Sequence, residues 1–313
     1  MAKISMKKTE ARTCTIEAPC KINLHLKIGE KRPDGFHNLE SLFVALAFGD
    51  TLHFEESKNG GCRLFVDGEN IPQGENLVLK AVSLFRKRTG FESGLNIRLL
   101  KRIPAGAGLG GGSSDAASTL LALNFLSETA LGPEELGEMA SVLGSDVPFF
   151  LSGGAAFVGG RGELIEPVKT PENLWVVLAK PPFSSDTAWA YRLLDESRKA
   201  FSMLANGENL SKDGLIKALG ENPQGWPYKN DFLPVFLAAK DGENTEKALC
   251  YRAILDELEK VGAFAGLSGS GSCCFGVFTD RKMAEKTEKS LLKQGNFTKL
   301  TFFLAQKADP VLK

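Results

Sequence analysis

Residues 103 to 118 read Ile-Pro-Ala-Gly-Ala-Gly-Leu-Gly-Gly-Gly-Ser-Ser-Asp-Ala-Ala-Ser, a composition suited to holding a phosphate chain. A proline, small residues alternating with glycines, and a Ser-Ser-Asp cap precede an apolar helical run from Ala116 to Leu126. That order describes a loop feeding a helix N-terminus. Such a loop turns several backbone N–H groups toward one point at the positive end of a helix dipole. Glycine lets the backbone approach an anion closely and adopt positive φ. The candidate cradle is Pro104, Ala105, Gly106, Ala107, Gly108, Leu109, Gly110, Gly111, Gly112, Ser113 and Ser114. A merely flexible loop is the alternative, and its glycines would carry their conformational entropy without a use.

Gly106, Gly108 and Gly111 also satisfy the dinucleotide fingerprint G-x-G-x-x-G, with Glu128 about 20 residues further on. That match fails on context. Lys101 to Pro104 separate the preceding strand from the glycines, and Glu128 ends a helical run where a ribose-binding acid should end a strand. The sequence contains no Walker motif either.

Other positions carry reactive groups whose plainer readings are structural. Thr15 to Ile28 alternates, with Ile16, Ala18, Cys20, Ile22, Leu24, Leu26 and Ile28 on one face. Glu17, Lys21, Asn23, His25 and Lys27 take the other. This predicts a half-buried strand with Lys21 and Asn23 as neighbours on its open face, which alone reads as solvated. Asp146, before Val147-Pro148, alone reads as a helix N-cap. A second glycine-rich turn, Gly266 to Cys273, reads either as a loose hairpin or as the far wall of a cleft around one ligand.

The elements that must position these residues follow from periodicity. Strands are predicted at Ser41–Phe48, Thr51–Glu55, Arg63–Val66 and Leu95–Leu100, and helices at Asn76–Lys87 and Pro133–Leu143. A glycine-broken hairpin is predicted at Ala155–Val168. Beyond a linker at Lys169–Asn173 come strands at Leu174–Lys180, Ala263–Gly266, Cys273–Phe278 and Lys299–Ala305. Helices at Thr187–Phe201, Asp231–Ala239, Lys247–Val261 and Arg281–Gln294 lie among them. The expectation is an α+β protein with a disordered arm at 1–12, a first domain at 13–170 and a second at 171–313.

Composition narrows the function. Lys+Arg and Asp+Glu are both 38 in 313 residues, so no global field favours nucleic acid or an anionic membrane. No apolar run approaches the roughly 18 residues of a membrane span, and the polar start has no signal-peptide core. A cytoplasmic protein is expected, with no membrane, nucleic-acid or obligate protein partner. Six cysteines without C-x-x-C spacing read as reduced, mostly buried thiols, and three histidines argue against a zinc cage.

Three segments together resemble the kinases of the galactokinase, homoserine kinase, mevalonate kinase and phosphomevalonate kinase superfamily. They are Ala18-Pro-Cys-Lys-Ile-Asn-Leu24, the loop Pro104–Ser114, and Leu267-Ser-Gly-Ser-Gly271. The continuation Gly29 to Phe43, with Arg32-Pro-Asp-Gly-Phe-His37, is similar to one branch whose acceptor carries a cytidine diphosphate group. Gly144-Ser-Asp-Val-Pro-Phe149 resembles that branch's catalytic-aspartate segment. The resemblance implies an N-terminal domain like the second domain of ribosomal protein S5 and a ferredoxin-like C-terminal domain. It implies ATP, with Mg²⁺, as phosphoryl donor and the 2-hydroxyl of a cytidine diphosphate-linked methylerythritol as acceptor, in non-mevalonate isoprenoid synthesis. By motif, Lys21 and Asp146 would be the catalytic pair and Pro104–Ser114 the ATP phosphate loop.

These roles suit the chemistry. Phosphoryl transfer needs positioning and charge neutralisation. A carboxylate at Asp146 can take the proton of a tertiary alcohol, and Lys21 can keep that carboxylate ionised while offsetting charge on the transferred group. Asn23 would orient the alcohol or the lysine. A cytosine needs an aromatic face and fixed edge partners. The resemblance points to Phe36 for stacking, His37 for edge contacts and Tyr191 for the opposite ring face. Lys101 reads either as a nucleotide contact or as a rim charge. Cys20 replaces a usual alanine, and Asn206–Tyr228 matches no family pattern. Other superfamily kinases, a nucleic-acid-binding module and a nicotinamide dehydrogenase are the competing readings. The absence of a base on the rival substrates, the zero net charge and the failed fingerprint count against them in turn.

Overall fold

The computed structural model describes residues 12–58, 60–68, 76–200, 210–239, 242–305 and 311–312. Its first layer is built on β1 (Thr13–Lys31) and β2 (His37–Ser57), an antiparallel pair longer than the sequence predicted. The two predicted strands at 41–48 and 51–55 are one, because the chain runs on through Gly49 and Asp50. β3 (Cys62–Asp67) pairs in parallel with β4 (Gly94–Leu100), and β4 pairs with β2. The predicted hairpin is present as β5 (Ala155–Gly159) and β6 (Leu164–Val168), which extends β2 on its other half. Among the described residues these strands and β11 (Val311–Leu312) form a seven-stranded sheet. β11 follows the second sheet in sequence yet pairs with β1.

Four helices cover one face of that sheet: α1 (Leu77–Thr89), α2 (Gly111–Ser127), α3 (Pro133–Leu143) and α4 (Val147–Ser152). Local chemistry sets their ends. Asn76 caps α1 by accepting from the Val78 N–H at 2.9 Å, and Gly90 closes it in the left-handed region. Pro133 opens α3, where the Glu135 carboxylate accepts from the Gly132 N–H at 3.1 Å.

Residues 169–173 lead to a second, all-antiparallel sheet made of β7 (Trp175–Lys180), β8 (Phe264–Leu267), β9 (Cys274–Phe278) and β10 (Phe297–Phe302). Its order, β10-β7-β9-β8, is that of a ferredoxin-like sheet. α5 (Thr187–Ala200), α7 (Phe232–Ala238), α8 (Gly242–Lys260) and α9 (Arg281–Lys293) pack on one of its faces. The other face meets the large sheet through Val176, Leu178, Phe275 and Val277 against Ile22, Leu24, Val44 and Leu46. This is the expected α+β architecture. The loop-rich tract before Tyr228 contains α6 (Lys212–Ala218) and a 3₁₀ turn at Pro223–Gly225, neither of them predicted; 206–209 lie outside the described residues. The predicted arm lies outside them except for Arg12, which is held by ion pairs to Glu56 and Glu128.

One backbone irregularity decides where the reactive side chains point. The β1–β2 register steps from Pro19↔Gly49 to Lys21↔Ala45, a bulge. Before it, Ile16 and Ala18 face the helices; after it, Cys20, Ile22 and Leu24 face the second sheet. The sequence placed all five on one face, and the bulge divides them. Lys21 and Asn23 thereby turn to the helical side, where they are buried at 3% and 2% exposure. They are not on a solvated face.

Candidate active site

The predicted phosphate loop ends in α2, whose first turn is Gly111–Ser114 and whose N-cap is Gly110 at φ 71°. Ser113, Ser114 and Asp115 are therefore inside the helix, and the predicted Ser-Ser-Asp cap is displaced by a glycine. An aspartate or serine side chain at position 110 would collide, because a Cβ there would stand 2.9 Å from Phe150 Cζ. By helix geometry the amides of Gly111, Gly112 and Ser113 have no intrahelical acceptor. The Ser114 hydroxyl is buried with no hydrogen-bond partner among the described residues. An anion at this end would satisfy these donors.

Beneath the loop lies β1. The Lys21 N–H donates to the Leu109 carbonyl at 3.0 Å, which ties the strand to the loop. The Lys21 ammonium donates to Asn23 Oδ1 at 2.6 Å and lies 3.5 Å from Asp146 Oδ2. It also stands 4.6 Å above the Phe43 ring. Burial pulls its pKa below the usual lysine value and Asp146 opposes that shift. Asp146 does sit at the N-cap position of α4, but its side chain makes no capping hydrogen bond. The carboxylate is turned to the lysine.

The second glycine turn does not face the first loop across an open cleft. It packs on it. Ser268 Oγ donates to the Gly108 carbonyl at 2.9 Å and accepts from the Asn23 N–H at 3.3 Å. The Cys273 and Ser272 N–H groups donate to the Ala107 and Gly106 carbonyls. The two glycine-rich segments are thus joined directly, carbonyls of the first to N–H and hydroxyl groups of the second.

The residues expected to read a base are arranged differently from that expectation. Phe36 is 53% exposed, with the Arg161 guanidinium 5.1 Å from its ring. Tyr191 stacks on His37 at 5.2 Å and 29°, not opposite Phe36. Its other close neighbour is the edge-on ring of Phe232. Burial first, and the Asp146 carboxylate second, push the Tyr191 phenol up to about 12. The His37 ring nitrogens face Gly29 O at 2.9 Å and Asp195 Oδ1 at 3.4 Å, so its edge is engaged inside the protein. The reason is topological: α5 carries both Tyr191 and Asp195 across the end of the β1–β2 hairpin.

Lys101 is neither on the rim nor free for a nucleotide. Its side chain is 4% exposed and pairs with Asp50 and with Asp115 Oδ2 at 2.9 Å. Asp50 also accepts from the Arg102 and Ile103 N–H groups at 2.5 and 2.8 Å, fixing the start of the loop. Burial raises the Asp115 carboxyl to about 8, since one ammonium serves two carboxyl groups. Lys101→Met is expected to destabilise the fold by about 3–5 kcal/mol, the usual cost of stranding buried carboxylates. Urea midpoints of the two proteins measure this, and equal midpoints would reassign the cluster to the surface.

Several of these residues were missed in the sequence. Pro19 inside a strand and Gly49 opposite it are signals of a bulge. Asn76, one residue before an apolar periodic run, signals a cap; its Nδ2 is buried with no partner among the described residues, as is Asp115 Oδ1. A cavity of about 300 Å³ in the second lobe, walled by Phe183, Trp189 and Tyr251, contains none of the predicted site residues.

Comparison with known proteins agrees with this architecture. Residues 76–154 match the family model of the GHMP kinases N terminal domain, and 251–296 that of the GHMP kinases C terminal. A 4-diphosphocytidyl-2-C-methyl-D-erythritol kinase of Prochlorococcus marinus (strain AS9601) is 37% identical over 278 residues, covering 87% of this chain and 88% of its own. One of Pseudomonas savastanoi pv. phaseolicola is 36% identical over 93% and 91%. A crystal structure of 4-(cytidine 5'-diphospho)-2C-methyl-D-erythritol kinase superposes with a TM-score of 0.72 at 31% identity, covering 92% of this chain and 98% of that one. A homoserine kinase from Cytophaga hutchinsonii, at 18% identity and a TM-score of 0.68, shares the fold. With relatives of this identity spanning most of both sequences, the chain belongs to the 4-diphosphocytidyl-2-C-methyl-D-erythritol kinase family of GHMP kinases.

Proposed function

We propose that the protein transfers the γ-phosphoryl group of ATP to the 2-hydroxyl of 4-diphosphocytidyl-2-C-methyl-D-erythritol, a step of non-mevalonate isoprenoid precursor synthesis. The observation that carries the chemistry is the buried Lys21 ammonium, set between Asn23 Oδ1 and Asp146 Oδ2 beside the glycine-rich loop. Pro104 to Ser114 hold the triphosphate through backbone amides and the Ser113 and Ser114 hydroxyls. Asp146 accepts the alcohol proton as the new O–P bond forms. Lys21 keeps that carboxylate ionised and donates to the oxygens of the transferred group, where charge accumulates. Asn23 orients the lysine.

Among the described residues no group of three or more His, Cys, Asp or Glu side chains could hold a metal by itself. A hydrated cation carried on the phosphates suits this arrangement, and the unpartnered Ser114 hydroxyl is the group that would reach it. When bound, Mg²⁺ supplies charge neutralisation to the phosphate oxygens. The cytidine end is read around the β1–β2 hairpin by Phe36, His37 and Tyr191. Here His37 acts by bracing Tyr191. No helix of the described residues is long and apolar enough to cross a membrane. A cytoplasmic setting and a small-molecule acceptor as the sole partner complete the reading.

The test offers Mg-ATP with the cytidyl diphosphate acceptor, homoserine or mevalonate and records ADP release. Turnover is expected with the first alone. Comparable rates with homoserine or mevalonate would overturn the acceptor assignment, and no turnover with any of the three would overturn the kinase reading.

A further inference from the structure

Ser41 lies on β2 and is completely buried at 0% exposure, beside a second register shift of the β1–β2 pair between Asn23 and His25. Its single hydroxyl proton is committed. Ser41 Oγ lies 2.5 Å from the His25 carbonyl oxygen, which only accepts. Whatever else faces Ser41 Oγ must therefore donate to it. The group that does so is the Asn23 side chain, through Nδ2 at 3.0 Å. This removes the usual ambiguity of an amide's orientation. With Nδ2 turned to Ser41, Oδ1 is turned to the Lys21 ammonium at 2.6 Å.

We propose that Ser41 is a positioning residue for phosphoryl transfer, its hydroxyl fixing the Asn23 amide with the oxygen toward Lys21. The inference rests on the catalytic reading of Lys21 given above. An ammonium has three donors. Asn23 Oδ1 takes one and Asp146 Oδ2 draws the second, so the third is directed to the group in transfer. If the amide reverses, an NH₂ meets an NH₃⁺, and the lysine either swings away or releases its proton.

The effect is confined to the side chain, because the Asn23 backbone N–H is held separately by Ser268 Oγ. Two ionisable groups act on Lys21: Asp146, from the turn before α4, and the Cys20 thiol on its own strand. β2 presents the Phe43 ring to it, and α4 presents Phe150 near its stem through Gly110. Among the described residues no other charge acting on Lys21 replaces the lost acceptor.

Ser41→Ala, Ser41→Thr and Lys21→Met are compared by kcat, KM for ATP and the pH profile of kcat. Ser41→Ala is expected to lower kcat by about 10- to 100-fold, the range for misplacing a catalytic group by a fraction of a bond length. KM for ATP should stay within about twofold, since the loop amides are untouched. The alkaline limb of the profile should move to lower pH, because Lys21 loses its proton more easily, and Ser41→Thr should restore both. Wild-type kcat and profile in Ser41→Ala overturn the inference. So does a loss of kcat with an unmoved alkaline limb that threonine does not rescue, which would mark a packing role. If the alanine variant does not fold, Ser41→Cys, nearly isosteric and a poor hydrogen bonder, must show the same displaced limb. Inactive Lys21→Met beside a normal Ser41→Ala refutes this inference alone, whereas an active Lys21→Met refutes the catalytic reading beneath it.

Discussion

Asp146→Asn is expected to lower kcat by about 10²–10⁴-fold, the range for removing a positioned general base, while leaving the fold intact. Two functions fail together in this variant. The amide cannot accept the alcohol proton, and the buried Lys21 loses the negative charge that offsets its burial. The direction of the pH effect follows from that shift. Burial lowers the Lys21 pKa and Asp146 raises it, so without the carboxylate the ammonium form is lost at lower pH. Residual activity should accordingly fall away earlier on the alkaline side than in the wild type.

The competing role of Asp146 makes the opposite forecast. An N-cap replaced by a poorer one loses about 0.5–2 kcal/mol of stability and no chemistry. The structure has no side-chain cap bond at this position, so the denaturation midpoint should change by less than that. Full turnover with a lowered midpoint would return Asp146 to a structural role. Asparagine is the right substitution because it keeps the size and one acceptor oxygen beside Lys21.

How much of this was readable in the sequence depends on whether the signal is local. The loop of 104–114 was legible because glycine spacing and the apolar run behind it are both local properties. The second sheet was legible for the same reason, each strand being a short apolar run bounded by turn residues. The environment of Lys21 was not. Period-two alternation assigns side chains to faces only while the strand stays regular, and an irregularity such as the step from Pro19↔Gly49 to Lys21↔Ala45 can reverse the side chains that follow it. Here the reversal falls between Ala18 and Lys21, which is why a strand read as half-solvated is buried on both faces. Ser41, Asp50 and Ser268 were missed because their roles arise from pairs separated by tens to hundreds of residues, as in the bond from Ser268 to Gly108.

The same long-range pairing governs the residues expected to read a base. The sequence placed Phe36, His37 and Tyr191 around one ring, as separate contributions from two segments. It could not show that α5 brings Asp195 along with Tyr191, so that His37 is held by the protein on both nitrogens. His37 and Tyr191 do meet in a stack, whereas Phe36 stands apart and exposed.

Gly108→Ala is expected to damage the fold and the nucleotide site together. Gly108 has φ 73°, a region in which a side chain costs about 1–2 kcal/mol. Space is the larger obstacle. A Cβ there would stand 2.0 Å from the Ser268 carbonyl oxygen and 3.0 Å from that of Gly271. Both are backbone atoms of the second glycine turn, so no side chain can rotate away. The two turns must part, which breaks the Ser268 hydrogen bond to Gly108 and loosens the Cys273 bond to Ala107. Adding overpacking of about 1–3 kcal/mol to the backbone strain gives a loss of roughly 2–5 kcal/mol. Nucleotide affinity should collapse with it, since this contact fixes the loop that presents the amides. Gly112→Ala is the control for stability. Gly112 lies in the first turn of α2, and a Cβ there meets only Leu77 Cδ1 at 3.7 Å. That change should leave the midpoint unaltered or raise it by about 0.4–1 kcal/mol, as glycine-to-alanine replacements do at compatible sites. Urea midpoints for the pair decide the matter: if the two alanines prove equally tolerated, the turns are not locked together through Gly108 and the loop needs another anchor.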